Sequence, residues 1–161
     1  MSTIDAPDRG AASLPGPAPR LLVIQAPYYG QVVGGMRAGA ERVLAEAGAA
    51  EVEVADVAGA YELPAALRMA LRRPGAPIDG FLLLGCVVRG ETDHYTFICD
   101  AVCQGVMAIS AETGAAIGFG LLTVDTLAQA EARAADDRHN KGAEAAHALI
   151  GQVALRRRWG L

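Results

Sequence analysis

The chain has 161 residues, the size of one domain, and its 52% of hydrophobic residues can form a core without a disulfide or a metal. A formal net charge of −4 argues against a surface that neutralises nucleic-acid phosphates. The longest strongly apolar run, residues 80–88, is about half the length of a membrane-spanning helix. Three cysteines, an odd number, suit reduced thiols, and the first nineteen residues lack the apolar core of a secretory signal. We therefore expect a cytoplasmic protein with no nucleic-acid and no membrane partner.

Prolines punctuate residues 1–19, and such a composition buries too little apolar surface to offset the entropy of ordering. The sequence therefore predicts a flexible N-terminal tail over residues 1–19 and a single domain over residues 20–161. Within the domain, short apolar runs bounded by glycine or proline predict four buried strands. These strands are expected at residues 21–25, 52–57, 81–88 and 117–123.

Five stretches between and after the strands have the spacing of helices. The first has apolar residues at Val32, Val33, Met36, Ala40, Val43 and Leu44, with Gly48 just past its end as a C-cap signal. The others are predicted at residues 63–71, 95–110, 126–135 and 140–158. In the third helix the predicted inner face consists of Phe97, Ile98, Ala101, Val102, Val106 and Ile109. Alternating strands and helices predict an α/β fold of three layers (αβα), with a parallel sheet and a ligand crevice beyond the carboxyl ends of its strands.

Aromatic and acidic residues follow the first two predicted strands. Tyr28 and Tyr29 come after the first strand, where a planar ligand would stack, although packing between subunits explains them equally well. Glu62 stands just before a predicted helix. There it would accept hydrogen bonds from ligand hydroxyls, or simply interact with the helix dipole.

The run Gly-Cys-Val-Val-Arg-Gly-Glu-Thr-Asp-His at residues 85–94 leads from the third strand through a polar turn into a helix. Backbone N–H groups and the Thr92 hydroxyl at such a turn can hold a phosphate, and His94 can act as a general acid or base near neutral pH. Alternatively, Thr92 or Asp93 is an ordinary N-cap and His94 a solvated residue. Arg133, in the helix after the fourth strand, is a candidate counter-charge for the anion or a surface residue.

Other patterns favour no cofactor. Cys99 and Cys103 share a helix face near His94, but structural zinc usually has four ligands, so packing of the thiols is the preferred interpretation. The Gly-Phe-Gly sequence at residues 118–120 is not a dinucleotide fingerprint, and none follows the first strand. We therefore expect neither a metal nor a dinucleotide cofactor.

Five separated pieces of the sequence, in order and spacing over nearly all of residues 20–161, resemble the lumazine synthase family of riboflavin biosynthesis. They are Tyr28, Gly-Ala-Tyr-Glu at 59–62, the run at 85–95, Phe-Gly-Leu-Leu-Thr at 119–123, and Gln-Ala-Glu-Ala-Arg at 129–133 followed by Asn-Lys-Gly-Ala-Glu-Ala-Ala at 140–146. The resemblance implies a four-stranded parallel sheet of flavodoxin-like order, 2-1-3-4, with helices on both faces. It also implies a homo-oligomer, either a pentamer or a sixty-subunit shell, with active sites between adjacent subunits.

The family condenses 5-amino-6-(D-ribitylamino)uracil with 3,4-dihydroxy-2-butanone 4-phosphate to give 6,7-dimethyl-8-ribityllumazine, phosphate and water. The resemblance makes His94 the proton-transfer residue. The residues that it implies for the pyrimidine and its ribityl chain are Tyr28, Ala60, Tyr61, Glu62, Cys86, Val87, Val88, Phe119 and Lys141. Those that it implies for the phosphate are Glu91, Thr92 and Arg133. Phe119 and Arg133 are expected from the neighbouring subunit, and a salt bridge at a helix start explains Lys141 equally well. No metal and no redox cofactor is implied, and functional coupling to riboflavin synthase is expected.

The sequence departs from the family pattern around the expected phosphate turn. Glu91 and Asp93 add negative charge there. This predicts weaker anion binding unless Arg133 or Arg89 offsets the charge. Residues 134–139 replace a glycine-rich turn of the shell-forming members with charged residues, which makes the pentamer the firmer expectation. The alternative function is a non-catalytic protein that binds a flavin or forms a shell.

Overall fold

The computed structural model describes residues 13–49 and 51–161, and it confirms the predicted alternation of strands and helices. The strands are β1 (Arg20–Gln25), β2 (Glu51–Asp56), β3 (Gly80–Val88) and β4 (Ile117–Val124). The α-helices are α1 (Gly30–Glu46), α2 (Leu63–Arg72), α3 (His94–Thr113), α4 (Leu127–Ala134) and α5 (Lys141–Trp159). Short 3-10 turns at Pro27–Tyr29 and Ala60–Glu62 lead into α1 and α2. None of the helices in the described ranges is long and apolar enough to cross a membrane.

The four strands pair in parallel in the order β2-β1-β3-β4, which confirms the expected sheet order and the three-layer αβα fold. The register runs from Arg20 opposite Glu51 between β1 and β2, and it ends at Val88 opposite Val124 between β3 and β4. Alternate side chains of each strand point to opposite faces. One face of the sheet therefore packs against α1, α4 and α5, and the other packs against α2 and α3.

Strand β2 is not buried, contrary to the prediction from its sequence. Its residues are exposed except for the half-buried Val52, and Val54 is 45% exposed. In the described chain β2 is an edge strand that pairs with β1 on one side. Glu53 on this strand accepts two hydrogen bonds of 2.8 Å from Arg73. These bonds lower the pKa of Glu53, as is usual for an exposed carboxylate with a charged partner.

The predicted inner face of α3 is correct in its second half and wrong near its start. Val102, Val106 and Ile109 are buried as predicted. Phe97, however, is 70% exposed, and Ala101 is exposed as well. At about 100° per residue, position 101 lies about 100° and position 97 about 140° around the helix from Val102, outside the buried stripe, and the neighbouring elements do not cover them.

Glycines let α5 approach its neighbours at backbone distance. A Cβ atom at Gly142 would overlap the backbone of Met36 in α1. A Cβ atom at Gly118 in β4 would overlap the carbonyl oxygen of Ala145 in α5. Side chains at these glycine positions would therefore separate α5 from both α1 and β4.

The buried Asn140 fixes the start of α5 against two other helices. Its side-chain oxygen accepts a hydrogen bond of 3.0 Å from the N–H of Ala143, which caps α5. Its amide nitrogen donates to the carbonyl oxygens of Gly35 in α1 (3.1 Å), Ala134 (3.1 Å) and Ala135 (3.0 Å) at the end of α4. A single side chain thereby satisfies backbone groups of three helices.

Part of the predicted tail contacts the domain. The guanidinium group of Arg157 donates to the carbonyl oxygens of Pro15 (2.9 Å) and Pro17 (2.8 Å). Leu14 packs against the core beside α5. Residues 1–12 lie outside the described residues, and a flexible tail over residues 1–19 stays a prediction.

Two alanine substitutions on α5 test the close packing of this helix. Gly142→Ala should lower the free energy of unfolding by about 3 kcal/mol, because its Cβ meets the backbone of α1. Gly151→Ala is the matched control, because a Cβ there meets open space. It should raise the free energy of unfolding by about 0.5–1 kcal/mol through helix propensity. Urea unfolding followed by circular dichroism at one protein concentration measures both, and equal effects would contradict the close approach.

Candidate functional site

An open groove of about 770 Å³ lies beyond the carboxyl ends of β1, β2 and β3. Backbone hydrogen bonds continue the sheet pairing past the strand ends at this edge. The N–H of Ala26 donates to the carbonyl of Leu84 (2.9 Å), and the N–H of Val57 donates to the carbonyl of Gln25 (2.8 Å). The chain connects β1 to β2 on one side of β1 and then places β3 on its other side. The groove therefore lies at the switch point where such sheets bind ligands.

Eight of the predicted site residues line this groove: Tyr28, Ala60, Tyr61, Glu62, Cys86, Val87, Val88 and His94. Phe97 and Ile98 also line it, although the sequence pattern assigned both to the inner face of α3. Its spacing from His94 is the sequence signal that could have placed Phe97 in the groove, because residues three apart lie on the same side of a helix.

The aromatic side chains of the groove are largely exposed. Tyr28, Tyr61 and Phe97 are 77%, 59% and 70% exposed, respectively. Tyr28 meets the half-buried Tyr29 edge to face, with ring centroids 5.2 Å apart and planes at 66°. Tyr29 packs against the core and so supports the ring of Tyr28. Exposed aromatic surface around a groove is suited to a flat ligand or to a neighbouring protein surface. Both alternatives predicted for Tyr28, stacking on a ligand and packing between subunits, are compatible with its exposure.

Glu62 places a carboxylate on the rim of the groove. It directly precedes α2, but its side chain makes no capping hydrogen bond to this helix. The carboxylate lies over Gly59 instead, 3.3 Å from the point where a Cβ atom would stand. The exposed oxygens of this carboxylate face a space that a polyhydroxyl chain can enter.

Cys86 contributes a neutral thiol to the groove. It is only 5% exposed, and burial raises the pKa of its thiol to about 11. Val87 and Val88, the next residues of β3, are half-buried and line the same wall. At neutral pH this wall is therefore uncharged, with the thiol as a weak hydrogen-bond donor.

The turn between β3 and α3 carries the predicted phosphate residues. Glu91 and Thr92 are exposed and lie outside the groove lining. Asp93 is the N-cap residue of α3, as one of the alternatives predicted, and its side chain forms no capping hydrogen bond. The first N–H groups of a helix have no partners within the helix, and this end of α3 therefore retains donors that an anion can use.

Three predicted site residues lie on other elements. Phe119 is half-buried in β4 and packs against the core between the sheet, α2 and α3. Arg133, near the end of α4, donates a hydrogen bond of 2.9 Å to the carbonyl of Gln129. Lys141 forms an ion pair of 2.5 Å with Glu144 at the start of α5, as the salt-bridge alternative predicted. One chain by itself does not bring these three residues to the groove lining.

A metal site is not formed by the described part of the chain. No group of three or more His, Cys, Asp or Glu residues in it is placed to hold a metal ion. Cys99 and Cys103 on α3 are free thiols, and burial raises the pKa of each.

Comparisons with known proteins agree on one family. The family model for 6,7-dimethyl-8-ribityllumazine synthase matches residues 18–157. A protein of this name from Bartonella bacilliformis is 39% identical over 142 residues, which cover 88% of this chain and 93% of the relative. Relatives of the same name come from Kineococcus radiotolerans, 43% identical over 136 residues (83% of each chain), and from Novosphingobium aromaticivorans, 41% identical over 140 residues (87% of this chain and 98% of the relative).

The raised pKa of Cys86 predicts an unusual pH profile of thiol alkylation. A variant with Cys99→Ser and Cys103→Ser leaves Cys86 as the reactive cysteine. Because only the thiolate reacts, the iodoacetamide rate of the folded protein should keep rising about tenfold per pH unit up to roughly pH 10. The same chain in urea should level off near the ordinary pKa of cysteine, about 8.5. Levelling at the same pH in both states would show that the groove does not perturb this thiol.

Proposed function

Because the chain belongs to the 6,7-dimethyl-8-ribityllumazine synthase family, we propose that it catalyses the penultimate step of riboflavin biosynthesis. In this step 5-amino-6-(D-ribitylamino)uracil condenses with 3,4-dihydroxy-2-butanone 4-phosphate to give 6,7-dimethyl-8-ribityllumazine, phosphate and water. The observation that carries the proposal is the single groove in which eight expected site residues come together. The family match does not favour a non-catalytic flavin-binding or shell-forming protein.

The aromatic half of the groove binds the pyrimidine substrate. Tyr28 stacks on the ring, and the backbone and side chains around Ala60 and Tyr61 flank the ribityl chain. Glu62 accepts hydrogen bonds from the ribityl hydroxyls, which its position on the rim supports. The neutral wall around Cys86 supplies edge contacts without a charge that would have to be desolvated.

His94 transfers protons between the reacting groups. Formation of the imine, loss of phosphate through an enol-like step and ring closure each move a proton, and an imidazole can donate or accept one near neutral pH. His94 lines the groove at the first turn of α3, beside the turn that carries Thr92. Cys86 does not compete as a base because its thiol is protonated at neutral pH. Positioning of the two substrates supplies the larger part of the rate enhancement.

The complete active site lies between adjacent subunits of a homopentamer. The exposed turn with Glu91 and Thr92 contacts the phosphate, and Arg133 of a neighbouring copy supplies a guanidinium that pairs with it through two hydrogen bonds. This arrangement accounts for the positions of Phe119 and Arg133 outside the groove lining of their own chain. Assembly of pentamers into a sixty-subunit shell is a further step, which light scattering distinguishes from the pentamer.

The proposed reaction indicates a functional partner, and the cysteine content of the chain indicates a compartment. Riboflavin synthase, which uses the lumazine product, is the functional partner. The odd number of cysteines suits a reducing compartment, so we place the protein in the cytoplasm.

Removal of the imidazole tests the proton-transfer role. Purified protein should form the lumazine, followed by absorbance and fluorescence, well above the uncatalysed rate. His94→Ala should lower kcat about 10²–10⁴-fold while the affinity for the pyrimidine stays near wild type. His139→Ala, which alters a histidine outside the groove lining, is the matched control and should keep wild-type turnover. An unaltered kcat in His94→Ala would remove His94 from the mechanism.

Complementation between two impaired variants tests the shared site. Arg133→Ala should raise the KM of the phosphorylated substrate much more than that of the pyrimidine. When Arg133→Ala and His94→Ala chains are refolded together in equal amounts, about a quarter of the sites should contain both native residues and recover activity. Absence of any recovery in mixed oligomers would place both residues in the same chain's site.

A further inference from the structure

A cluster of three side chains joins the end of β3, the start of α3 and the end of β4. The Nε of Arg89 donates a hydrogen bond of 2.7 Å to Asp125, and its guanidinium lies 4.2 Å over the centre of the Tyr95 ring. The backbone N–H of Arg89 also donates to the carbonyl of Val124 at 2.8 Å. The side chain of Thr123 interacts with the Tyr95 hydroxyl. We call Arg89, Tyr95 and Asp125 the brace.

The brace joins Arg89 and Tyr95, the two residues that flank the segment at residues 90–94. The side chains of this turn are exposed, and Gly90 has open space where a Cβ atom would stand. Contacts of the turn's own side chains therefore contribute little to its conformation. The stacking of Arg89 on Tyr95 joins the two residues that flank the turn, and such a closure removes much of the conformational freedom of the segment between them. His94, the first residue of α3, directly precedes Tyr95 in the chain.

The charge of Arg89 is directed toward the protein rather than toward the turn. The hydrogen bond from Arg89 to Asp125 raises the pKa of the guanidinium, which therefore stays protonated. Its flat face covers the Tyr95 ring in a cation–π contact. Although Arg89 is the arginine nearest in sequence to the expected phosphate turn, its Nε and its face are both engaged by side chains of the chain itself.

We propose that Arg89 is a positioning residue, which acts through Tyr95 and Asp125 to hold the turn at residues 90–94 in the conformation that binds phosphate and orients His94. The inference deepens the proposed function and rests on it, because it concerns the turn that carries the phosphate-binding and proton-transfer groups. Arg89 contacts neither substrate in this arrangement. Loss of the brace affects the reaction by misplacing other groups.

Substitutions of Tyr95 provide a matched pair for kinetics. Tyr95→Leu removes the ring under Arg89, whereas Tyr95→Phe keeps it. Arg89→Ala and Tyr95→Leu should each lower kcat and raise the KM of the phosphorylated substrate, with a combined loss of about 10–100-fold in kcat/KM. The Kd of the pyrimidine should stay unchanged, because its aromatic contacts come from other loops. Tyr95→Phe should remain close to wild type.

The double variant shows whether the two residues act through one contact. Because Arg89→Ala and Tyr95→Leu break the same stacking interaction, their combination should cost no more than the more harmful single change. Fully additive losses would mean that the two side chains act separately, which would overturn the brace.

Amide hydrogen exchange tests the turn without reference to activity. In the full chain, Arg89→Ala should accelerate exchange at residues 90–96 by about tenfold or more, while exchange within β3 stays unchanged. If the wild-type protein forms no lumazine, the proposed function fails, but this measurement still decides whether the brace orders the turn. If Arg89→Ala shows the same amide exchange rates and the same kinetics as the wild type, the brace is overturned. The proposed function is unaffected by that result.

Direct binding of phosphate by Arg89 predicts a different pattern. In that case Arg89→Ala alone would raise the KM of the phosphorylated substrate, and Tyr95→Leu would behave as wild type. Asp125→Asn would lower this KM, because it frees the guanidinium for the anion. This pattern overturns the brace, which instead predicts a higher KM in Asp125→Asn. If Arg89→Ala does not fold, Tyr95→Leu and Asp125→Asn carry the same test.

Discussion

The backbone pairing of β1 with a strand on each side is the constraint on which the site depends. Because all pairings are parallel, the carboxyl ends of β1, β2 and β3 lie at one edge of the sheet. Hydrogen bonds at Ala26 and Val57 then extend this pairing into the loops that follow β1 and β2. The aromatic residues Tyr28 and Tyr61 belong to these two loops. Their common position in the groove is therefore a consequence of strand order rather than of contacts between their side chains.

The two faces of the sheet are covered in different ways. On one face, Gly118 and Gly142 allow backbone contact between α5, β4 and α1, and Asn140 links three helices through buried hydrogen bonds. This face is rigid because few rearrangements could satisfy the same backbone groups. On the other face, the start of α3 leaves Phe97 exposed beside the groove. A tightly packed face thus supports an edge whose loops remain open to ligands, an arrangement that keeps binding groups in place without filling the site.

The groups of the proposed reaction divide between a groove within one chain and residues that do not line it. Eight of the proposed site residues, among them Tyr28 and His94, share the groove, whereas the proposed site residues Phe119, Arg133 and Lys141 do not line it. The assembly proposed above, in which one copy completes the site of another, accounts for this division. The exposed turn after β3 carries the residues proposed for the phosphate and leads into His94, so the cluster around Arg89 that flanks it bears on both.

Features that depend on residues close together in the chain could be predicted from the sequence. Runs of apolar residues located β1, β3 and β4 to within one residue, and Gly48, with φ of +80°, stands just past the end of α1 as expected. The motifs, read through a family resemblance, selected eight residues of the groove. The packing of the folded chain was needed to show that β2 is an exposed edge, that Phe97 lines the groove, and that Arg89 pairs with Asp125, 36 residues away. These outcomes depend on which surfaces meet after folding, and the periodicity of a single strand or helix carries no information about its partners in space.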